Sequence, residues 1–348
     1  MIEPTAIITG LIIGILFGFA LQRGRFCMNS AFRDIILMKE YTLLKAVVAA
    51  LIVEMLGFHL MATLGIIQLN PKPFFWGANI VGGFIFGIGM VLAGGCASGT
   101  TYRVGEGMVG SFVALLGYMI GSIITGEGAL KEFQSYLKST TKITVGNAGP
   151  LVSSKNTSPT LANIFGVHPW IVAIILAIIG IAILAWKRGG AEGAEGSLYE
   201  KIFKHGWPWW ATGIVIGIIG MLAFPASAAA GRNYPLGITG GWKTFLSTLL
   251  KGDSNILSWE TFEVIGIVIG AAIAAAIAGE LKLRAPGPKR LIQQFIGGLL
   301  LGIGAVTAFG CNIGHILSGV PQLALSSILS GFFIIIGAWV TAYLMFMR

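Results

Sequence analysis

Charge is what this 348-residue chain has least of, since Lys, Arg, Asp and Glu together make up 11% of it. A soluble domain carries roughly 25%. So few ionised groups cannot cover the surface that a chain of this length would present to water, which excludes a soluble globular protein. Cysteine is scarce too: Cys27, Cys96 and Cys311 are the only three. An odd number with no CxxC pair excludes a framework built wholly of disulfides. The four histidines and three cysteines show no metal-ligand spacing beyond Cys311 and His315, four residues apart. One such pair is too few for a Zn or Cu(I) site, so neither a metal nor a cofactor is expected. No basic segment precedes the first apolar stretch, which is read as a retained span and not a cleaved signal.

What the chain has in quantity is apolar length. Hydrophobic residues make up 55%, the mean hydropathy is +0.84, and glycine contributes 51 residues. Apolar windows long enough to cross about 30 Å of hydrocarbon fall at 4–22, 43–68, 75–95, 108–126, 167–186, 208–226, 258–280, 290–309 and 322–346. The expected fold class is an all-α membrane protein of about nine transmembrane helices. Gly-rich or turn-rich segments follow the first, third, sixth and eighth spans, and these four are candidate short re-entrant helices. The net charge of +9 does not point to nucleic acid, because the basic residues sit in short loops between spans. Counted by side, 15 Lys and Arg lie on the face of the odd-numbered connections and the C-terminus, and 8 on the other. The positive-inside bias then places the N-terminus outside and the C-terminus in the cytoplasm.

Residues 82–99, GGFIFGIGMVLAGGCASG, align without a gap on 297–314, GGLLLGIGAVTAFGCNIG, with ten identities in 18 positions. Cys96 falls on Cys311. A weaker match pairs TGLIIGI at 9–15 with TGIVIGI at 212–218. Equivalent spans lie five crossings apart, an odd number, so the two halves should have inverted topology, as in transporters that bind substrate where the repeats meet. The expected organisation is a first repeat at 1–129, an external loop, linking span and cytoplasmic linker at 130–207, and a second repeat at 208–348.

All three cysteines stand at the end of a span, in or beside a Gly-rich break, and the flanking glycines Gly95 and Gly310 expose backbone amides there. Interrupted helices present unpaired N–H groups and partial positive charge, which suits an anion. Arg25 and Arg103 also lie near the breaks but are read first as cytoplasmic anchors. Arg232 lies on the outer side, where orientation does not account for it, and is a candidate for attracting an anion. GRFC at 24–27 corresponds to GRNY at 231–234. Glu54 and His59, inside the second span, are expected to face the bundle and to be satisfied by interhelical hydrogen bonds. The eleven methionines show no Met-x-x-Met clustering and read as packing residues.

GGCASG at 94–99, GCNIGH at 310–315 and RGRFCMNSAFRD at 23–34 resemble the YeeE/YedE family of bacterial inner-membrane sulfur-transport proteins. The resemblance spans nearly the whole chain. It implies nine spanning helices with short re-entrant helices, an hourglass-like interior, and thiosulfate passed along a central route by Cys311, Cys96 and Cys27. His315, Arg232, Gly95 and Gly310 complete the expected substrate-binding set. A small cytoplasmic sulfur-carrier protein stands as a candidate acceptor, and the lipid bilayer is the other partner. Thiosulfate suits the residue type: backbone amides hold its three hard oxygens, while a thiol is a weak donor to its soft terminal sulfur. Rival readings are a permease for another sulfur or selenium species or a soft metal ion, and a membrane thiol oxidoreductase. The last should have a closely spaced dithiol or a cofactor site, and the linear sequence has neither.

Overall fold

The computed structural model describes residues 3–186 and 197–347. It is helical almost throughout. In the first half, α1 (Pro4–Arg23), α3 (Thr42–Thr63), α4 (Trp76–Ala93) and α6 (Val109–Gly126) are the long elements. Two short helices follow breaks, α2 (Met28–Leu37) and α5 (Ala97–Gly105). The connection from 127 to 168 folds into α7 (Lys131–Thr140) and α8 (Leu161–Phe165), and its Lys142–Ile143 strand pairs antiparallel with Phe74–Phe75. Next come α9 (Pro169–Trp186), α10 (Trp209–Ala229), α11 (Thr239–Lys251), α12 (Trp259–Ile277), α13 (Pro288–Ala308) and α14 (Leu325–Phe346). Between α13 and α14 a wide turn at Ile313–Leu317 fills the last break.

Among the described residues, eight helical segments are long and apolar enough to cross a membrane, and the apolar stretch of α9, Pro169–Ala185, is shorter. The count of nine from sequence includes that helix. Each of the four candidate re-entrant segments contains a short helix or turn. Boundaries move: α3 stops at Thr63, short of the expected 68, and α10 runs through Pro225 to Ala229, past the expected end of the sixth span. The first half of the linker beginning at Lys187, including Arg188 and Glu195, lies outside the described residues.

The long helices pack through glycine. Along the α4–α13 crossing, a Cβ added at Gly304 would lie 2.7 Å from the carbonyl oxygen of Gly82, and one at Gly89 would lie 2.8 Å from that of Gly297. No side chain fits there, so the backbones touch, which is how helices associate where lipid removes the hydrophobic driving force. α1 lies on α12, α3 on α10, α6 on α13 and α4 on α14. Exchanging α1 with α10, α3 with α12, α4 with α13 and α6 with α14 maps this set of contacts onto itself.

Candidate functional site

The charged loops at one end of the bundle converge on a vestibule of about 890 Å³. Its wall carries Lys72, Lys138, Lys142, Lys155, Arg232 and Lys243 against one carboxylate, Glu260. These six are most of the eight basic residues that the sequence assigns to that side, gathered by folding from segments up to 171 residues apart. Gly310, Cys311 and Gly314, from the break after α13, line it as well.

Local geometry at that break explains the cradle. Phe309 ends α13 in the left-handed conformation, φ 68°, which turns its carbonyl away from the helix. Lys72 Nζ donates to that carbonyl at 2.9 Å and sits 4.9 Å from the Tyr234 ring centroid. The Tyr234 hydroxyl donates to the Gly314 carbonyl at 2.6 Å. A Cβ at Gly314 would come within 2.7 Å of Lys72 Nζ, and one at Gly310 would collide with it. Glycine at both positions is what allows the ammonium to reach the backbone beside Cys311. Burial pushes Lys72 down to about 8, with Cys311 and Glu260 offsetting part of the effect and Arg232 adding to it. Lys138, which donates to the Val306 carbonyl at 3.0 Å and lies over the Phe309 ring, is also pushed down to about 8 by burial, then by Lys243 and Lys72.

Deeper in the bundle the two Gly-Cys breaks meet. Asn312, beside Cys311, accepts from the Ala97 amide at 3.3 Å and donates to Met28 Sδ at 3.2 Å. Cys96 caps α5 and accepts from the Gly99 amide at 3.3 Å, with Ser98 Oγ at 3.4 Å. Cys27 immediately precedes α2 without a side-chain cap bond, and its sulfur lies 3.8 Å from that of Cys96. All three cysteines are reduced and buried. The absence of a closely spaced dithiol therefore holds only along the sequence: folding joins residues 27 and 96. Gly99 makes room for both sulfurs, since a Cβ there would be 2.7 Å from Cys27 Sγ and 3.3 Å from Cys96 Sγ.

The other expected site residues divide. Arg232 lines the vestibule, but it pairs with Glu260 and donates to the carbonyls of Tyr234 and Pro235, so part of its charge is spent inside the protein. His315 is buried behind the break, with Nε2 3.0 Å from the Ala308 carbonyl and Nδ1 3.1 Å from Ser327 Oγ. A carbonyl only accepts, so Nε2 carries the hydrogen and the ring braces the break. Gly95 is buried beside Thr100 and Arg103. Arg25 bridges Glu106 at 2.8 Å and Glu280 at 2.7 Å, and Arg23 also pairs with Glu280. The expectation for Glu54 and His59 needs correcting: both are buried, but Glu54 Oε2 and His59 Nε2 have no hydrogen-bond partner, and His59 Nδ1 bonds only within its own helix, to Met55. Gly220 on α10 lies against this carboxyl and offers it no side-chain partner. Among the described residues, no group of three or more His, Cys, Asp or Glu stands close enough to hold a metal ion.

Sequence reading missed Lys72, Tyr234 and Asn29. Lys72 lies in NPKPFF, where two prolines mark only a turn. Asn29 is fully buried two residues beyond Cys27, with both amide atoms unpartnered, a feature invisible before folding.

An all-helical bundle with multiple apolar spans defines a multi-pass membrane protein, here with a cationic vestibule that ends on helix breaks. The sulphur transport family matches residues 23–340, and the chain belongs to it. The thiosulfate transporter TsuA of Spirochaeta thermophila is 45% identical over 342 residues, covering 98% of this chain and 99% of that one. TsuA of Escherichia coli is 34% identical over 348 residues, covering 98% and 95%. The probable transporter YedE of Escherichia coli is 37% identical over 115 residues, 33% of this chain and 28% of its own. The family resemblance carried by the three cysteine motifs thus holds over nearly the whole chain.

Proposed function

We propose that this protein takes up thiosulfate across a bacterial inner membrane, with the Lys72 end outside and the C-terminus in the cytoplasm. The observation that carries the reading is the convergence of six cations and one carboxylate on a funnel ending at Cys311. Such a surface concentrates a dianion and repels cations. The anion passes from Cys311 to Cys96 and Cys27, each thiol donating weakly to the terminal sulfur while backbone N–H groups of the breaks hold the oxygens. Several weak sites in series admit the ion and release it. The thiols act as neutral S–H groups, because a thiolate within about 4 Å of a dianion would repel it by several kcal/mol at an effective dielectric near 20. Gly95 and Gly310 keep the backbone accessible, Arg232 contributes field at the mouth, and His315 holds the Cys311 break in shape.

Nine crossings in two inverted repeats, 1–129 and 208–348, fit this reading. The self-mapping of helix contacts supports the repeat, and so does the pairing of the two Gly-Cys breaks through Asn312 and Ala97. A small cytoplasmic sulfur-carrier protein is a candidate acceptor at the far end. The test is growth of a sulfate-uptake-deficient bacterium on thiosulfate as sole sulfur source. Growth should require this gene, and equal growth without it would overturn the assignment.

A further inference from the structure

A second concavity, about 390 Å³, lies at the opposite end of α6 and α13 from the vestibule. Ser111 on α6 and Arg290 on α13 line it, whereas Gly126 and Val306 of the same helices line the vestibule. Fifteen and sixteen residues separate these positions, so at about 1.5 Å per residue the two sites are roughly 22–24 Å apart.

The lining holds Arg103, Arg284 and Arg290 and no carboxylate. None of the three forms an ion pair among the described residues. Arg103 donates to the Gly94 carbonyl at 2.6 Å and Arg290 to Gln293 Oε1 at 3.0 Å, leaving further N–H groups on each guanidinium. Ser111 is 5% exposed, and among the described residues its hydroxyl makes no hydrogen bond. The Gly110 amide, in the first turn of α6, is also without a carbonyl partner, as helix starts leave such groups. The pocket adjoins the break that carries Cys96. Gly94 lines it at φ 73°, and a Cβ there would sit 3.3 Å from the Arg290 guanidinium.

The donors of the lining, unpaired guanidinium groups, a free hydroxyl and a free helix-start amide, outnumber its one buried unpartnered acceptor, Gln294 Oε1. Together they match the oxygens of a tetrahedral dianion. We infer that this pocket is an oxyanion-binding site, where the transported anion rests by its oxygens after leaving the Cys27–Cys96 pair. The inference rests on the uptake reading for the direction of travel, but the binding itself does not. A lipid phosphate offers the same oxygens, so the probes must separate the two sources.

The experiment is equilibrium binding of radiolabelled thiosulfate, and separately of sulfate, to the full chain in phosphatidylcholine nanodiscs with and without phosphatidylglycerol. Two sites are expected. Lys72→Gln should weaken one. Arg284→Gln with Arg290→Gln should weaken the other by tenfold or more, as for lost charge-assisted hydrogen bonds, and Ser111→Ala, a mild change, by about three- to tenfold. A single site sensitive only to Lys72→Gln would overturn the inference, and so would displacement of the second site by phosphatidylglycerol. Binding is read without transport, so failure to support growth on thiosulfate would count against the proposed function while leaving this site standing or falling by its own result.

Discussion

Removing the charge of Lys72 should weaken thiosulfate capture and abolish most of its pH dependence. Burial lowers this ammonium from the usual lysine range to about 8. The cationic form is therefore present below pH 8 and lost as pH rises through it: roughly nine-tenths is charged at pH 7 and roughly one-tenth at pH 9. A unit cation about 5 Å from a dianion contributes roughly 1.7 kcal/mol even at the dielectric constant of water, and more at lower values. Taken as a lower bound, that figure corresponds to about a tenfold change in affinity after some screening by salt. The half-saturating thiosulfate concentration should thus rise several-fold to tenfold between pH 7 and 9, with a smaller effect on the maximal rate.

The assay is initial uptake of radiolabelled thiosulfate into proteoliposomes, with interior pH fixed and exterior pH varied. Lys72→Gln should show the weakened capture already at pH 7 and little further change near pH 8. Lys72→Arg, charged throughout, should hold its affinity past pH 8, apart from a residual drift from Lys138, which also titrates near 8. The sign for stability is opposite: a lysine whose folded pKa is lowered costs folding free energy below about pH 8, and the cost fades as pH rises toward the unfolded value. Lys72→Gln should therefore leave the melting temperature unchanged or raised. If wild type and Lys72→Gln have superimposable pH profiles, the ammonium is not what the anion meets.

Cys96→Ala and Cys311→Ala should each abolish uptake in protein that still inserts, and Cys27→Ala should reduce it; wild-type rates in both of the first two would reduce the cysteines to packing. Diamide, which takes up two hydrogens from a thiol pair, should link Cys27 to Cys96, whose sulfurs at 3.8 Å need approach by under 2 Å to bond; mass spectrometry should find the linked peptides and uptake should stop until dithiothreitol is added, whereas free alkylation of both thiols after diamide would refute the approach. Gly304→Val should cost more than about 3 kcal/mol by forcing apart α4 and α13, seen as loss of the monodisperse peak in detergent, and a normal melting curve would contradict the close backbone contact. Single cysteines introduced at Lys142 and Glu195 should react with an impermeant maleimide in intact cells at the first position only.

The helical fold class and the break positions were legible because each is local: apolar length and glycine density survive in one dimension. The vestibule was not legible, because its charges come from six separate places between residues 72 and 243, and a count by side registers them only as a minority of the basic residues. Arg232 shows the limit most plainly. It was singled out as the one unexplained outer arginine, yet folding gives it Glu260 as a partner and passes the exposed work to lysines with no distinguishing motif. The Cys27–Cys96 contact was hidden for the same reason, since 69 residues separate partners that only the crossing of α1, α2 and α5 brings together.

The two breaks make the case for a common device at both ends. Gly94 and Phe309 occupy the same place in the aligned segments, and both end their helix in the left-handed conformation, φ 73° and 68°. Each carbonyl so exposed accepts from a cation, Arg103 at 2.6 Å in one half and Lys72 at 2.9 Å in the other. Glycine adopts that conformation freely, but a phenylalanine there is strained. The strain is held by neighbours: the Phe309 ring packs edge-on to Phe75 and lies beneath Lys138. A side chain at 309 thus helps place a second ammonium at the vestibule, while glycine at 94 leaves the Arg290 guanidinium room against the bare break. One backbone geometry recurs at the two breaks, and the residues at 94 and 309 differ because the two ends present their cations differently.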